Sequence, residues 1–482
     1  MIYLVSNQTT LSSFFDEYIQ PLSKEEALAL IKEWKHIQFD TETTGRDARI
    51  CNLLCVQFGS PDSEIQIVVD TSTIDIRYYK EVLENKLIIG QNLKFDIKFL
   101  YNYGIIPRKV YDTMIVEQFL HLGYPTGTIS YSLKEIAWRR LNINLDKTVR
   151  GEIIWRGLDR EVIHYAASDV KYITPIMKSQ IEDLRKIPNA FVGAKIECDF
   201  VPSIAYLEWC GIKLDEKKWK AKMVTDEKNL QERTKALNDF VIKNNMTKYY
   251  RIEKQGDLFS GFSTDPIVTI NWSSSKQVIN IAKDLGFNTQ VKDKKTGEDK
   301  DSVLEKHLST QKGINDEFLK LYFEYQESAK VVSSFGQGHL NAINPKTGRL
   351  HTEYRQLGAA SGRMSCGSNK PNTDLAKIKG IPVKECSFPN IQQLPHDEVT
   401  RSCFVSEKGN NFISCDYSAQ EGRVQGDIYQ DEAILKMYRE GIDGHSMYAK
   451  IFFKDELKDI DVHDVKKLRP DLRSKAKSPE FS

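Results

Sequence analysis

Residues 37–45 read Ile-Gln-Phe-Asp-Thr-Glu-Thr-Thr-Gly, and no other stretch restricts the fold of this chain as tightly. Ile37 and Phe39 give an apolar approach, Asp40 and Glu42 follow, and a Thr-Thr-Gly turn closes the run. That pattern describes the tip of a strand, where residues two apart point to the same face. Two carboxylates on one face repel each other unless a cation neutralises them. An oxygen-only cluster suits Mg²⁺ or Mn²⁺. Two such ions about 3.5–4 Å apart cleave phosphodiesters by stabilising the attacking and leaving oxygens.

Two further acids stand in comparable settings. Asp96 closes GQNLKFD, after the strand-like run Leu87-Ile88-Ile89-Gly90. Asp169 closes YAASD, four residues after Tyr165 on the helical pattern Val162, Tyr165, Ala166, Asp169, so tyrosine and aspartate share one face. A lone Asp-x-Glu is commonly a solvated strand end; three such segments in this order are not. Together they resemble the 3′–5′ proofreading exonucleases that carry four acids and a tyrosine on a ribonuclease-H-like fold. The resemblance implies that Asp40, Glu42, Asp96 and Asp169 hold two metal ions, Mg²⁺ with Mn²⁺ as the alternative, and that Tyr165 orients the attacking water or hydroxide.

At 482 residues the chain is too long for one core, so two to four domains are expected. No apolar run approaches 18 residues, and MIYLVSNQTT turns polar too soon for a signal peptide. The expectation is a cytoplasmic protein with no membrane partner, in the bacterial host cytoplasm if phage-encoded. The eight cysteines are scattered and form no CxxC pair; Cys51 and Cys55 read as core thiols rather than zinc ligands. A net charge of +1 gives no global nucleic-acid signature, but acids at a metal site offset a basic groove elsewhere.

Residues 1–187 alternate strand-like runs (Cys51–Phe58, Ile65–Val69, Lys86–Ile89) with helical patterns (Lys24–Trp34, Tyr131–Leu141), an α/β reading. Pro188 and Asn189 suggest a break. Residues 188–345 are predominantly helical and lysine-rich, over Glu197–Trp209, Glu216–Asn244, Ser275–Leu285 and Asp316–Ser334. The polar runs Thr247–Phe262 and Lys292–Asp301 are expected to be loops or mobile tips. From residue 346, short Gly-, Ser- and Arg-rich segments lead to a buried strand, Phe412–Cys415 within Asn411–Asp416, that delivers Asp416 to an exposed tip; there it and the carbonyl of Tyr417 suit a metal-bound triphosphate. Arg473 and Lys477, four apart, share a helix face, and Phe481 lies four further on.

Residues 320–482 resemble the core of A-family DNA polymerases, the type of bacterial polymerase I and many phage replicases. The matching runs, in order, are KLYFEYQESAKVVSSF, NPKTGRLHTEYRQLGAASGRMS, PNIQQLP, SCDYSAQEGR, GIDGHS and RSKAKSPEF. The resemblance implies an α/β multi-domain chain: an exonuclease domain (1–187), a helical thumb (188–345), a partial α+β palm (346–440) and the start of the fingers (441–482). It implies that Asp416 and Tyr417 bind metal and dNTP, that Glu421 excludes ribonucleotides, and that His445 touches the β-phosphate. Arg473 and Lys477 would clamp the triphosphate, with Phe481 stacked on the nucleotide. Arg363 would reach the minor groove at the primer end, with Asn390 and Gln392 on the template side. Primer–template DNA, single-stranded 3′ ends and dNTPs are the implied partners.

The chain departs from the family pattern at several places. Residues Gly367–Phe388 intervene between the minor-groove segment and PNIQQLP, an expected insertion loop near the primer grip. Ala419-Gln420 stand where the family has Gln-Ile, Gly422 stands for a usual leucine, and Ser482 for a common glycine. The sequence ends within the nucleotide-binding segment, ahead of the hairpin that carries the family's second catalytic aspartate. The expectation is therefore an N-terminal piece of a phage-like replicase, its remainder either on a second polypeptide, as a further partner, or cut away. Two alternatives stand beside it: a stand-alone metal-dependent 3′–5′ exonuclease, and a split-polymerase subunit that contributes DNA binding and half an active site.

Overall fold

Strand β3 (His36–Thr43) is an interior strand of a seven-stranded sheet, with a hydrogen-bonded neighbour on each side and packed elements on both faces. The computed structural model describes residues 1–8, 15–145, 152–252, 266–293 and 297–480. With β1 (Ile2–Val5), β2 (Ile19–Pro21), β4 (Leu53–Gly59), β5 (Gln66–Asp70), β6 (Leu87–Gly90) and β7 (Lys109–Asp112), the strand order is β2-β1-β5-β4-β3-β6-β7. The β3–β4 and β4–β5 pairs are antiparallel; β3–β6, β6–β7, β1–β5 and β1–β2 are parallel. Ile37 and Phe39 project into the larger core with Phe58, Ile88, Leu93 and Ile97. The opposite face packs Leu4, Cys55 and Val68 beneath Ile163, Ala166 and Ala167 of helix Arg160–Lys171. That helix starts where Asp159 accepts the N–H of Val162, which satisfies one of its orphan donors.

The first three expected strands are present as β4, β5 and β6, each shifted by a residue or two, and the helical patterns appear as Lys24–Glu33, Leu133–Leu141, Glu216–Lys243, Ser275–Asp284 and Asp316–Ser334. Residues 1–408 and 409–482 are two compact units, a division that does not coincide with borders at 187, 345 or 440. Helix Ala190–Cys210 runs straight through the region expected to begin a new domain. Its residues Ala190, Ala194 and Cys198 pack on Val116 and Leu184, and Val201 and Ala205 join the sheet's larger core. Pro188 and Asn189 thus mark a turn between packed helices, with Asn189 in the left-handed region, rather than a linker.

Helices Glu216–Lys243 and Asp316–Ser334 carry a separate core around Phe240, Trp272, Ile281, Phe287 and Phe318. The runs expected to be loops hold short paired strands. Tyr250–Ile252 pairs with Pro266–Val268, and Gln290–Lys292 pairs with Asp299–Asp301. Backbone pairing offsets their polarity; residues 253–262 and 294–296 of those runs lie outside the described residues.

Two further expectations are corrected. Residues 367–388 are a folded insertion: strands Ser368–Pro371 and Ser387–Phe388 pair antiparallel and enclose helix Thr373–Lys379. Asn372 caps that helix and Gly380, in the left-handed region, ends it. The expected buried strand Phe412–Cys415 is not formed. Residues 411–417 form no regular secondary structure and are exposed, Ile413 to 89% and Tyr417 to 79%. A strand is held by its neighbours' hydrogen bonds, and no described residue pairs with this one. In the second unit, Gln420–Tyr429 packs on Glu432–Arg439, and Gly444–Phe452 packs with Pro470–Glu480 around Ala449, Leu457, Val465 and Leu472. Gly422 is explained there: a side chain at this position would run into the Tyr438 hydroxyl.

Candidate active site

Strand alternation puts Asp40 and Glu42 on the face of β3 that lies under helix Arg160–Lys171, and the cross-strand register places them opposite Gln57 and Cys55 of β4. Asp169, in the last turn of that helix, comes down beside them. Each of Asp40, Glu42 and Asp169 offers a carboxylate oxygen, and these three atoms lie within 4.8 Å of one another. Asp169 is buried, and Asp40 and Glu42 are half-buried. Three carboxylates this close, with no competing sulfur or imidazole in the set, match the donor chemistry of a hard divalent cation. Cys55, directly across from Glu42, has its thiol pushed well above the usual range by burial and then by Glu42 and Asp40, so it stays protonated as an inert neighbour. Cys51 is half-buried, its thiol pushed up to about 11 by burial and then by Asp374.

Tyr165 is buried on the same helix, one turn before Asp169, in a small cluster with Ile153 and Val162. Four-residue spacing therefore does place tyrosine and aspartate on one face.

Asp96 is not in the three-acid group. It is buried on helix Leu93–Tyr101 and accepts a 2.6 Å hydrogen bond from the Thr41 hydroxyl. Thr41 alternates away from Asp40 and Glu42, so Asp96 meets the middle of the triplet from the opposite side of the strand. Burial pushes the Asp96 carboxyl up to about 7, with the Thr41 hydrogen bond opposing. The sequence reading passed over Thr41; the alternation of β3 was the available signal. It also passed over Glu208, which is buried behind Asp96's helix. Glu208 accepts from Lys94 Nζ (2.7 Å), Lys98 Nζ (2.6 Å) and the Tyr354 backbone N–H (2.6 Å).

The remaining expected residues fall in two places. In the first unit, Arg363 and Gln392 are exposed. Asn390 caps the short 3₁₀ turn Ile391–Gln393 by accepting from Gln392 N. In the second unit, Asp416, Tyr417 and Glu421 are exposed, Glu421 in the first turn of its helix. His445 lies in the first turn of Gly444–Phe452. Arg473 makes a bidentate pair with Asp443, 2.8 Å at each oxygen, and this holds the Asp443 carboxyl far below its usual range against the effect of burial. Asp443 also caps the His445 helix through Ser446 N, so arginine and histidine segments are joined by one carboxylate. Lys477 lies on helix Pro470–Glu480, and Phe481 lies outside the described residues. Among the described residues no helix is long and apolar enough to cross a membrane.

Comparison with known proteins gives two matched regions, the second of which spans residues of both compact units. Residues 18–185 match the family model for a 3′–5′ exonuclease, and residues 264–482 match that for DNA polymerase family A. DNA polymerase I of Aquifex aeolicus is 28% identical over 450 residues, which is 89% of this chain and 66% of that protein. DNA polymerase I of Pseudomonas aeruginosa is 28% identical over 475 residues, 92% of this chain and 45% of that protein. The chain thus spans from under half to about two thirds of the curated relatives it matches. The POL domain of Pol1 from M. smegmatis, solved with DNA primer-template and dNTP, superposes with a TM-score of 0.68 at 18% identity, over 94% of this chain and 69% of that one.

Proposed function

We propose, from the match of residues 264–482 to DNA polymerase family A and of residues 18–185 to a 3′–5′ exonuclease family, that this chain removes nucleotides from DNA 3′ ends and supplies part of a template-directed DNA polymerase. The observation that carries the exonuclease reading is the grouping of Asp40, Glu42 and Asp169. Their oxygens would hold divalent metal, Mg²⁺ or Mn²⁺. At that position the three carboxylates would give the scissile phosphodiester a Lewis acid and would supply the attacking water with a lowered pKa.

The chain's own residues do the rest. Asp40 and Glu42 approach from the strand and Asp169 from the helix, so the two elements must stay in register for the three oxygens to converge. The Tyr165 hydroxyl, one turn from Asp169, orients the water for attack. Asp96, expected as a fourth ligand, bears on the centre through Thr41: it fixes the residue between the two strand carboxylates.

On the polymerase side, Asp416 and the Tyr417 carbonyl take the metal-bound dNTP, Glu421 reads its sugar, and His445, Arg473 and Lys477 take its phosphates. Phe481 is assigned the stacking role. Arg363, Asn390 and Gln392 take primer–template DNA. For Arg473 to bind a triphosphate it exchanges the Asp443 carboxylate for phosphate oxygens, one bidentate partner for another. Synthesis further needs residues 411–416 to gain strand partners. A stand-alone exonuclease is the second reading, favoured by the exposed, unpaired state of that segment.

The test is a 5′-labelled primer–template incubated with the purified chain and Mg²⁺. Stepwise shortening from the 3′ end is expected, abolished by Asp40→Ala and unchanged by Asp416→Ala. Retained shortening in Asp40→Ala would sink the assignment. In any complex with the rest of the protein, Asp416→Ala should abolish primer extension while leaving shortening intact.

A further inference from the structure

The connection from β3 to β4 leaves the sheet one residue after Glu42 and returns by way of an excursion over residues 44–52. Its base is closed by Thr44 N to Asn52 O (2.9 Å) and Asn52 N to the Thr44 hydroxyl (2.9 Å). Above that base the turn is held by residues from far along the chain. The Asp374 carboxylate Oδ2 accepts both the Arg46 N–H (2.7 Å) and the Asp47 N–H (3.0 Å), and Asn372 Nδ2 donates to Asp47 Oδ2 (3.0 Å). Ile50 packs into the small core of the insertion, against Leu375, Ala376 and Cys386. The fit is close at Gly45, where a Cβ would collide with Cys51 Sγ and sit 2.8 Å from Asp374 Oδ1.

The insertion is itself anchored. Lys379 Nζ donates to the carbonyls of Leu340, Asn341 and Ile343 at 2.9–3.1 Å, which pins its helix to the polymerase-like part of the first unit. Its capped helix and paired strands make it a rigid platform rather than a tether.

We propose that residues 367–388 are a clasp, and that Asp374 is a positioning residue for the exonuclease: by fixing the 44–47 turn it fixes where Glu42 sits relative to Asp169. This rests on the reading of Asp40, Glu42 and Asp169 as a metal-dependent exonuclease centre. The physical case is one of leverage. Thr43, where the β3–β4 register shifts, donates through its hydroxyl to the Gly45 carbonyl (2.6 Å), so the backbone gripped by Asp374 is coupled within three residues to a metal-binding carboxylate. A charged acceptor shared by two backbone donors is a strong local restraint. Metal sites respond to small displacements of residues behind their ligands.

The test compares wild type, Asp374→Ala and Asp374→Asn, with Asp40→Ala as control. Asparagine keeps a side-chain oxygen able to accept both N–H groups; alanine keeps none. In metal-free protein, hydrogen exchange at the Arg46 and Asp47 amides should quicken at least about tenfold in Asp374→Ala and stay near wild type in Asp374→Asn. Mn²⁺ affinity of the chain should weaken about 10- to 100-fold in Asp374→Ala, as for other supporting residues behind metal ligands. The exonuclease kcat should fall with it, while KM for single-stranded DNA holds and Asp374→Asn restores both. Helical circular dichroism reports that each variant is folded. Wild-type Mn²⁺ affinity in a folded Asp374→Ala, with Asp40→Ala inactive, would overturn the clasp and leave the exonuclease reading standing. An active Asp40→Ala would take both down. Should Asp374→Ala fail to fold, replacement of Gly45 by alanine strains the same contact from the other side, and unchanged Mn²⁺ affinity there would equally overturn the proposal.

Discussion

Glu208 should be among the most destabilising positions in the first unit, and the size of the effect follows from what its removal leaves behind. Its side chain is 1% exposed, and it satisfies two ammonium groups that are themselves mostly buried, Lys98 at 16% and Lys94 at 21%. It also takes the Tyr354 N–H, while Lys94 donates to the Tyr354 carbonyl. Removing one partner of such a cluster costs about 3–5 kcal/mol, because the charges left behind remain desolvated. Lys94 keeps one partner and both lysines have some access to water, so Glu208→Ala should lose about 3 kcal/mol, near the low end of that range. Urea unfolding followed through the adjacent Trp209 would read it. Replacing the whole cluster (Glu208→Leu with Lys94→Met and Lys98→Met) should recover part of that loss, since apolar residues of similar volume remove the stranded charges, while the Tyr354 N–H left without its acceptor still costs about 1–3 kcal/mol. Burial alone would raise the Glu208 carboxyl, but Lys98 and Lys94 outweigh it and hold it below its ordinary value. Its contribution is therefore present above the unfolded carboxylate pKa, about 4.3, and is lost as pH falls through the lower folded value. A Glu208→Ala loss below about 0.5 kcal/mol, or a triple variant no better than the single one, would refute this reasoning.

Other outcomes follow from single contacts. His339 is buried against Trp219, its Nε2 has no hydrogen-bond partner among the described residues, and burial with the nearby Lys222 pushes its pKa down to about 4. The unfolded state takes the proton first, so stability is full above about 6.5 and declines as pH falls through 4, by up to about 3 kcal/mol. His339→Phe should flatten that slope in urea midpoints between pH 7.5 and 4.5, and an unchanged slope would refute the assignment. Thr41→Val removes the hydroxyl that Asp96 accepts from, and should lower exonuclease kcat about 10- to 100-fold with KM for DNA unchanged in steady-state assays. Gly422→Leu should lower the melting temperature of the second unit, because Tyr438 occupies the space a side chain needs; calorimetry showing no shift would contradict the contact.

Much of the candidate site was legible because its signals are local. Two-residue spacing put Asp40 and Glu42 on one face of β3, and four-residue spacing put Tyr165 and Asp169 on one face of a helix. What was not legible depends on distant partners. Asp374 caps an amide 328 residues away, and nothing near either residue announces it. Phe412 and Ile413 have the apolar pattern of a buried strand, yet burial needs a neighbour, and both are exposed. Helix Ala190–Cys210 was read from its second half only, because a turn at Pro188 and Asn189 looks the same in sequence whether it separates domains or joins packed helices. The insertion was placed correctly as a departure, but its fold rests on the pairing of residues at its two ends.

The most direct measurement is a Mn²⁺ titration of the metal-free chain, in wild type and in Asp40→Ala, Glu42→Ala, Asp169→Ala and Asp416→Ala. A Mn²⁺ site should appear in wild type, disappear in each of the first three variants, and persist in Asp416→Ala. Binding that survives the loss of Asp40, Glu42 or Asp169 would contradict the assignment of these three carboxylates as the metal centre of the exonuclease.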